Sequence, residues 1–108
     1  MSSVITIPAH EVVAKLSKDA GELLDVRTAA EFEAGYIANA INFDFLSGEF
    51  EENIPNLDKT KTYYLYCRSG VRSGKSAQLL LDNGFTNVYN IGGFDSLANA
   101  GLPVEYLD

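Results

Sequence analysis

The sequence has 108 residues, with 8 lysines and arginines against 15 aspartates and glutamates, so its formal charge is −7 at neutral pH. A chain of this length forms one domain, residues 1–108, whose 46% of hydrophobic residues can build one core, and two catalytic domains are excluded. The acidic balance argues against nucleic acid or an anionic membrane surface as the main partner, because phosphates are bound chiefly through clustered lysines and arginines.

The start of the sequence does not have the pattern of a localisation signal. Residues 1–16 lack a basic region followed by an apolar run, and no segment approaches the ~20 apolar residues that a membrane span needs. The sequence therefore predicts a cytoplasmic protein, or a periplasmic protein from which a signal peptide was removed. A monomer is the default expectation for a soluble domain of this size.

The first predicted elements are a strand, a helix and a second strand. Residues 5–7 predict a short strand, and Pro8 is typical of the first turn of a helix. Val12, Val13 and Leu16 are the apolar positions expected to share one face of that helix. Residues 23–26 then predict a buried strand.

A second, short helix is bracketed by its end signals. Thr28 and Glu31 have the spacing of a capping box, and Gly35 stands where a helix C-terminus favours a left-handed residue. Residues 40–43 predict a third strand. Residues 44–57 predict an acidic loop with one helical turn.

The second half of the chain continues the alternation of strands and helices. Residues 62–67 form the clearest strand, rich in tyrosine, and residues 72–83 predict a helix. Residues 87–91 predict a fifth strand, residues 92–93 open a last helix, and Gly101 ends it. This order predicts an α/β fold, a three-layer α/β/α domain with a five-stranded parallel sheet. Ligands of such sheets bind beyond the carboxyl ends of the strands.

The single cysteine, Cys67, ends the predicted fourth strand. It excludes an intrachain disulfide, a CxxC redox pair and a multi-cysteine zinc site, and no metal site or cofactor is predicted. A lone cysteine at a strand end is also typical of simple core packing. Arg68, Arg72 and the glycine-containing loop between them favour a functional thiolate instead.

Residues 68–72 lead from the strand end into a helix. Such a loop can direct several backbone N–H groups at one point, which makes a concave anion site that also stabilises a thiolate. Arg68 and Arg72 can each stabilise the anion further or hold an anionic substrate. We therefore predict that Cys67 is a nucleophile with an electropositive cradle.

Four sets of residues carry a family resemblance. They are Leu24-Asp25-Val26-Arg27; Glu31-Phe32 with Gly35-Tyr36-Ile37-x-x-Ala40-Ile41-Asn42; Cys67-Arg68-Ser69-Gly70-Val71-Arg72-Ser73; and Gly92-Gly93 with Gly101-Leu102-Pro103-Val104. In this order, and over nearly the whole chain, they resemble the single-domain rhodanese (thiosulfate sulfurtransferase) family. Two positions depart from the family pattern, with Tyr36 in place of a common histidine and Leu97 in place of a frequent tryptophan.

The resemblance implies a sulfurtransferase with Cys67 as its catalytic residue. The thiolate would take the sulfane sulfur of a small anionic donor such as thiosulfate, and a thiophilic acceptor such as cyanide or a thiol would remove it. A thiol-bearing protein is a further candidate partner. The resemblance also implies that Asp25 and Arg27 hold the architecture around the loop. The residues implied to bind the persulfide or the substrate anion are Arg68, Ser69, Gly70, Val71 and Arg72.

Two alternatives to a turning-over sulfurtransferase remain. One is a rhodanese-like module that relays sulfur to a partner, or docks on it, with little free turnover. The other is a phosphatase or arsenate reductase, whose loop places arginine six positions after the cysteine, whereas Ser73 occupies that position and Arg72 comes one residue early. The shorter loop favours a persulfide sulfur over a tetrahedral phosphate. His10 is interpreted as a surface residue of the first helix.

Overall fold

A central five-stranded parallel sheet organises the protein. The structure is a computed structural model that describes residues 3–107. Along the sheet the strand order is β1-β6-β5-β2-β4, and β3 pairs with β7 in a separate antiparallel ladder. The strands are β1 (Ile5–Thr6), β2 (Glu22–Asp25), β3 (Tyr36–Ile37), β4 (Ile41–Asn42), β5 (Tyr63–Cys67), β6 (Val88–Gly93) and β7 (Val104–Glu105).

Helices cover both faces of the sheet. One core cluster joins the sheet to the α3 and α4 side through Phe50 and Leu80, and the other joins it to α1 and α5 through Val12 and Leu97. This arrangement confirms the predicted three-layer α/β/α domain. The helices are α1 (Ala9–Lys18), α2 (Ala29–Glu33), α3 (Glu49–Asn53), α4 (Val71–Asp82) and α5 (Phe94–Asn99).

The strand β5 lies in the middle of the sheet and is buried along its whole length. Side chains of a strand alternate between faces, so Leu65 and Cys67 pack on the α4 side, whereas Tyr64 and Tyr66 pack on the α1 and α5 side. Both tyrosines are fully buried core residues. Because β5 is parallel to its neighbours β2 and β6, its carboxyl end at Cys67 meets theirs at one edge of the sheet.

The predicted capping box of the second helix is present. The Thr28 hydroxyl accepts a hydrogen bond from the Glu31 backbone N–H, and the Glu31 carboxylate accepts one from the Thr28 N–H at 3.0 Å. Gly35 follows the helix with a φ of +145°, a backbone conformation that glycine tolerates best. The sequence signals at both ends of this helix were therefore interpreted correctly.

Two sequence interpretations are corrected, and one ladder was not predicted. Residues 44–57 contain the helix α3 and a 3-10 turn at Ile54–Asn56 rather than a loop with one turn, because Phe50 and Ile54 bury apolar side chains in the core. Residues 92–93 end strand β6 instead of opening α5, which begins at Phe94. The antiparallel β3–β7 ladder was not predicted.

Within residues 3–107, no helix combines the length and the apolarity that a membrane span requires.

Candidate functional site

The Cys67 loop, residues 67–72, lies where β5 passes into α4. Gly70 forms the N-terminal boundary of α4 with a φ of +97°, a left-handed conformation in which a side chain is strained. A β-carbon at Gly70 would also lie 3.4 Å from the Gly92 Cα. Glycine at position 70 therefore allows the chain to turn sharply from the strand end into the helix.

The Cys67 thiol is buried and receives several hydrogen bonds. The Gly70 N–H donates to Sγ at 3.0 Å, and the Ser73 hydroxyl lies 3.4 Å from Sγ. Burial raises the pKa of the thiol, but hydrogen bonds from the Ser73 hydroxyl and from the backbone of Ser73, Ser69 and Gly70 outweigh burial and lower the pKa below its ordinary value. The loop thus favours the thiolate over the neutral thiol.

Ser73 and Asn90 are site residues that the sequence analysis did not identify. Both are buried, and the Ser73 hydroxyl, which has one proton to share between two acceptors, lies 2.8 Å from the Asn90 Oδ1 and 3.4 Å from Cys67 Sγ. The Asn90 amide also donates to the Gly70 carbonyl at 3.0 Å and accepts from the Gly92 N–H at 3.0 Å. Asn90 therefore ties strand β6 to the loop. A polar residue inside an otherwise apolar strand was the available sequence signal.

We expect the Ser73→Ala variant to raise the pKa of Cys67, because the variant removes the Ser73 hydroxyl, the hydrogen-bond donor with the strongest lowering effect on that pKa. Iodoacetamide alkylates the thiolate, so the alkylation rate, measured by mass spectrometry, increases with pH as Cys67 ionises. The midpoint of this increase should lie at a higher pH in Ser73→Ala than in the wild-type protein. Ser76→Ala is the matched control, since Ser76 is an equally buried serine of α4 that donates to the Arg72 carbonyl instead. Identical pH midpoints for Ser73→Ala and the wild-type protein would contradict the assignment.

Gly93 allows β6 and the Cys67 loop to pack closely. A β-carbon at Gly93 would lie 2.5 Å from the Arg68 carbonyl oxygen and 3.3 Å from the Ser69 Cα. Both neighbours are backbone atoms of the loop, so neither can turn aside by rotating a side chain. The absence of a side chain at position 93 therefore fixes how near the loop lies to the sheet.

The Gly93→Ala variant is expected to shift the loop and to destabilise the domain by about 1–3 kcal/mol, the usual cost of overpacking. Thermal unfolding and the alkylation rate of Cys67 measure the two effects. Gly101→Ala is the control, because a β-carbon there meets no atom within 4 Å and adds only left-handed backbone strain. An unchanged alkylation rate in Gly93→Ala would show that the loop tolerates the contact.

The remaining loop side chains differ in their surroundings. Arg68, Ser69 and Val71 are exposed, and Val71 is 61% exposed. Within residues 3–107, no carboxylate lies within 4 Å of the Arg68 guanidinium. The backbone N–H groups of residues 69 and 70 face the thiol, whereas the side chains of residues 68, 69 and 71 point away from the core.

Arg72 is bound by a carboxylate. Its guanidinium makes two bonds to Glu31, Nη1 to Oε1 at 2.8 Å and Nη2 to Oε2 at 3.0 Å. Glu31 raises the pKa of Arg72, and the charge of Cys67 adds to this effect. Glu31, interpreted from the sequence through the capping box alone, therefore also joins α2 to the helix of the Cys67 loop.

The Glu31–Arg72 pair predicts a pH-dependent contribution to stability. Arg72 lowers the pKa of Glu31 to about 2, well below the value of about 4.3 for an unfolded chain. A carboxyl group with a depressed pKa in the folded state stabilises the fold fully above its unfolded pKa and loses that contribution as the pH falls toward its folded pKa. The sensitive range is thus from about pH 4.3 down to about pH 2.

Replacing Glu31 with glutamine should lower the unfolding free energy by about 1 kcal/mol at pH 7, a value reduced for the partial exposure of the pair. This difference from the wild-type protein should shrink steadily below pH 4 and disappear near pH 2. Urea unfolding at a series of pH values measures it. A difference that stays constant with pH would show that the pair does not act through its charge.

Asp25 and Arg27 form a buried ion pair beside the Cys67 loop. The Arg27 side chain donates to both carboxylate oxygens of Asp25, with Nη2 to Oδ2 at 2.7 Å, and Nη2 also donates to the Gly35 carbonyl at 2.6 Å. The guanidinium lies 4.5 Å from the centre of the Phe94 ring. These contacts connect the end of β2 with α5 and with the chain that follows α2.

Two further residues singled out in the sequence, His10 and Tyr36, lie outside the loop. The side chain of His10 is 81% exposed, so it is a surface residue of α1 as expected. The ring of Tyr36 stacks on Phe32 with 4.1 Å between ring centres. Among residues 3–107 there is no cluster of three or more His, Cys, Asp or Glu side chains that could hold a metal ion.

Comparison with known proteins gives the family. The sequence model of the family described as rhodanese-like domain matches residues 8–100. The chain belongs to the rhodanese-like domain family. Its β2 end at Asp25 and Arg27, its Cys67 loop and its Gly92-Gly93 pair all lie within the matched range.

Two curated relatives of this rhodanese-like domain are longer than the chain. An uncharacterised protein of Bacillus subtilis, YqhL, is 45% identical over 74 residues, which cover 68% of this chain and 57% of that protein. A tRNA uridine(34) hydroxylase of Hamiltonella defensa is 36% identical over 93 residues, which cover 81% of this chain and 26% of that protein. The chain therefore spans about half of the first relative and a quarter of the second.

Solved structures share the fold over almost their full length. A rhodanese-like domain protein from Staphylococcus aureus is 31% identical with a TM-score of 0.81, covering 97% of this chain and 100% of that one. An Escherichia coli structure described as rhodanese with anions is 29% identical with a TM-score of 0.72, covering 82% of this chain and 100% of that one. Single-domain rhodanese-like proteins thus have the same architecture as this chain.

Proposed function

We propose that this rhodanese-like domain is a sulfurtransferase that carries sulfane sulfur as a persulfide on Cys67. The observation that carries the proposal is the hydrogen bonding of the Cys67 sulfur, which accepts from the Gly70 N–H at 3.0 Å and lies 3.4 Å from the Ser73 hydroxyl. Donors directed at a sulfur atom stabilise it as an anion, and the thiolate is the nucleophilic form of cysteine.

The first step takes sulfur from a small anionic donor, with thiosulfate as the representative. The Cys67 thiolate attacks the outer sulfur of the donor and forms a new S–S bond. The S–S bond of thiosulfate breaks, and its electron pair leaves with sulfite. The product is an anionic persulfide, and the backbone N–H groups of Ser69 and Gly70 are the donors available to stabilise it.

The second step returns the thiolate. A thiophilic acceptor, cyanide or a thiolate, attacks the outer sulfur of the persulfide. The S–S bond breaks and its electron pair returns to Cys67. Since these 108 residues contain one cysteine, no second thiol among them can discharge the persulfide as a disulfide. The acceptor therefore lies outside these 108 residues and is either a small molecule or a thiol-bearing protein segment.

The phosphatase alternative is less well supported than sulfur transfer. In such enzymes a loop arginine binds the phosphate through a planar pair of N–H groups. Here the guanidinium of Arg72 directs two such bonds to the carboxylate of Glu31. Because these bonds already use its planar pair of N–H groups, Arg72 is not free to bind a phosphate in this way, whereas sulfur transfer relies on the backbone donors to Sγ. No hydrolysis of an aryl phosphate is expected at protein concentrations that give measurable sulfur transfer.

The direct test is to incubate the protein with thiosulfate and to measure its intact mass. A gain of one sulfur atom on Cys67, reversed by cyanide, supports persulfide chemistry. The matched control is the Cys67→Ser variant under the same conditions, which should gain no mass. No adduct on the wild-type protein with thiosulfate and other sulfane donors would overturn the proposal.

A second candidate function is a sulfur-relay or docking module with little free turnover. The observation that favours it is the length of the curated relatives, of which the matched segment makes up 57% and 26%. In those proteins the matching domain is joined to further sequence. Both candidates form the same persulfide. Steady thiocyanate production from thiosulfate and cyanide favours the enzyme, whereas one sulfur loaded per chain without turnover favours the relay.

A further inference from the structure

A small cavity lies beside the Cys67 loop and is not used by the steps described above. Its volume is about 270 Å³, and Arg68 and Glu31 form part of its wall. Arg68 is next to Cys67 in the chain, and Glu31 binds Arg72 at the start of α4. The cavity therefore adjoins the loop through Arg68, although Cys67 itself is not among its lining residues. The complete lining is Arg27, Glu31, Ala34, Arg68, Phe94 and Asp95.

The charged residues of the cavity fall into two groups. Arg27 is neutralised by the buried Asp25, and Glu31 is neutralised by Arg72. In the described part of the chain, neither Arg68 nor Asp95 has an oppositely charged group within 4 Å. One positive and one negative side chain thus face a shared space and have no ion-pair partner in the protein.

This pattern selects among the acceptors that a persulfide can use. Cyanide and thiosulfate carry only negative charge, so either would satisfy Arg68 and be opposed by Asp95. A ligand with a carboxylate and an ammonium group would satisfy both side chains at once. The cavity volume lies just below the range of about 300–1,000 Å³ usual for ligand sites, which favours a ligand of amino-acid size.

We propose that the cavity lined by Arg68 and Asp95 binds a small zwitterionic aminothiol, the cysteine type of molecule, as the sulfur acceptor. The inference rests on the proposed sulfurtransferase function. Arg68 would bind the carboxylate and Asp95 the ammonium group. The thiolate of the ligand would attack the outer sulfur of the Cys67 persulfide, the S–S bond would break with its electron pair returning to Cys67, and the ligand would leave as its own persulfide.

The test uses four acceptors with the thiosulfate-loaded protein. L-Cysteine carries both charged groups, N-acetylcysteine lacks the ammonium group, cysteamine lacks the carboxylate, and cyanide lacks both. For each protein variant, kcat/KM with each thiol is divided by kcat/KM with cyanide. Comparing this ratio between a variant and the wild-type protein removes the intrinsic reactivity of each thiol.

The expected results differ between the two variants. Asp95→Asn should lower the ratio about fivefold to tenfold for L-cysteine and cysteamine and leave that of N-acetylcysteine unchanged. Arg68→Gln should lower kcat/KM for L-cysteine and N-acetylcysteine by a similar factor relative to cysteamine, the acceptor that has no anionic group for Arg68 to bind. Glu33→Gln is the matched control, because Glu33 is an exposed carboxylate of α2 that does not line the cavity, and it should change no ratio.

Two results overturn this inference alone. In one, Asp95→Asn affects all three thiols equally. In the other, Glu33→Gln reproduces the effect of Asp95→Asn, which would indicate a general effect of charge. In both cases turnover with cyanide persists, so the sulfurtransferase proposal stands. Absence of turnover with cyanide and of any sulfur adduct on the wild-type protein would instead overturn the proposed function, and the acceptor site with it.

Discussion

The Cys67→Ser variant is expected to lose sulfur transfer by a factor on the order of 10³ or more while keeping the fold of the wild-type protein. A serine hydroxyl is not ionised at neutral pH, and its oxygen cannot store sulfur as a persulfide. The hydroxyl is slightly smaller than the thiol and still accepts a hydrogen bond from the Gly70 N–H, so the loop keeps its partner.

Thiocyanate formation from thiosulfate and cyanide measures the activity of this variant, and circular dichroism measures its fold. Ser76→Ala is a suitable companion variant, because it changes a buried residue of α4 that does not contact Cys67 and should keep its activity. Retention of more than roughly a tenth of the activity by a folded Cys67→Ser protein would exclude the covalent mechanism.

Replacing Asp25 with asparagine is expected to destabilise the domain by about 3–5 kcal/mol, which is a large part of the 5–15 kcal/mol typical of a domain. The variant leaves the Arg27 guanidinium buried without its counter-charge, since the side chain of Arg27 is only 6% exposed. In the wild-type protein the N–H groups of Arg27 donate to both carboxylate oxygens of Asp25, and in the variant one of these oxygens is replaced by an NH2 group, which cannot accept. Urea unfolding should show a lower midpoint with an unchanged slope.

The matched comparison for Asp25→Asn is an exposed ion pair of the same protein. Lys61 and Glu22 lie 3.4 Å apart with side chains 54% and 37% exposed, so Lys61→Gln should change the unfolding free energy by less than about 1 kcal/mol. A loss of similar size in the two variants would show that burial does not set the importance of the Asp25–Arg27 pair.

Local signals in the sequence predicted much of the fold. The Thr28–Glu31 capping box needs only residues three positions apart, and its geometry follows from the chain itself. The tyrosine-rich strand ending at Cys67 was predicted by composition and by the glycine-containing loop after it. These features depend on near neighbours, so the alternation of strands and helices was sufficient for the five-stranded sheet.

Features that depend on distant contacts were missed. The β3–β7 ladder pairs Tyr36 with Glu105, and two strands of two residues each carry no periodic pattern that could reveal the pairing. The segment that contains helix α3 was predicted as an acidic loop with one helical turn, because acidic residues favour exposure to solvent, whereas burial of Phe50 decides the outcome. Tertiary packing overrides local composition in both cases.

The candidate site divides in the same way. The loop from Cys67 to Arg72 is continuous in sequence, and its position at the end of a central strand could be predicted. The bond between Arg72 and Glu31 spans 41 positions, and the bond between Ser73 and Asn90 spans 17. Partners so far apart meet only through the fold, so the sequence indicated which residue would react but not which residues hold it.

The hydrogen bonds of Asn90 affect how much the loop must rearrange in each turnover. The Asn90 amide and carbonyl oxygen hold the Gly70 carbonyl and the Ser73 hydroxyl, so the chain around the sulfur is already ordered before any donor arrives. The conformational entropy of the loop is lost once, when the domain folds, and not again in each turnover. Loading and unloading of sulfur should consequently proceed without a backbone rearrangement, at rates that do not depend on solvent viscosity beyond its effect on diffusion.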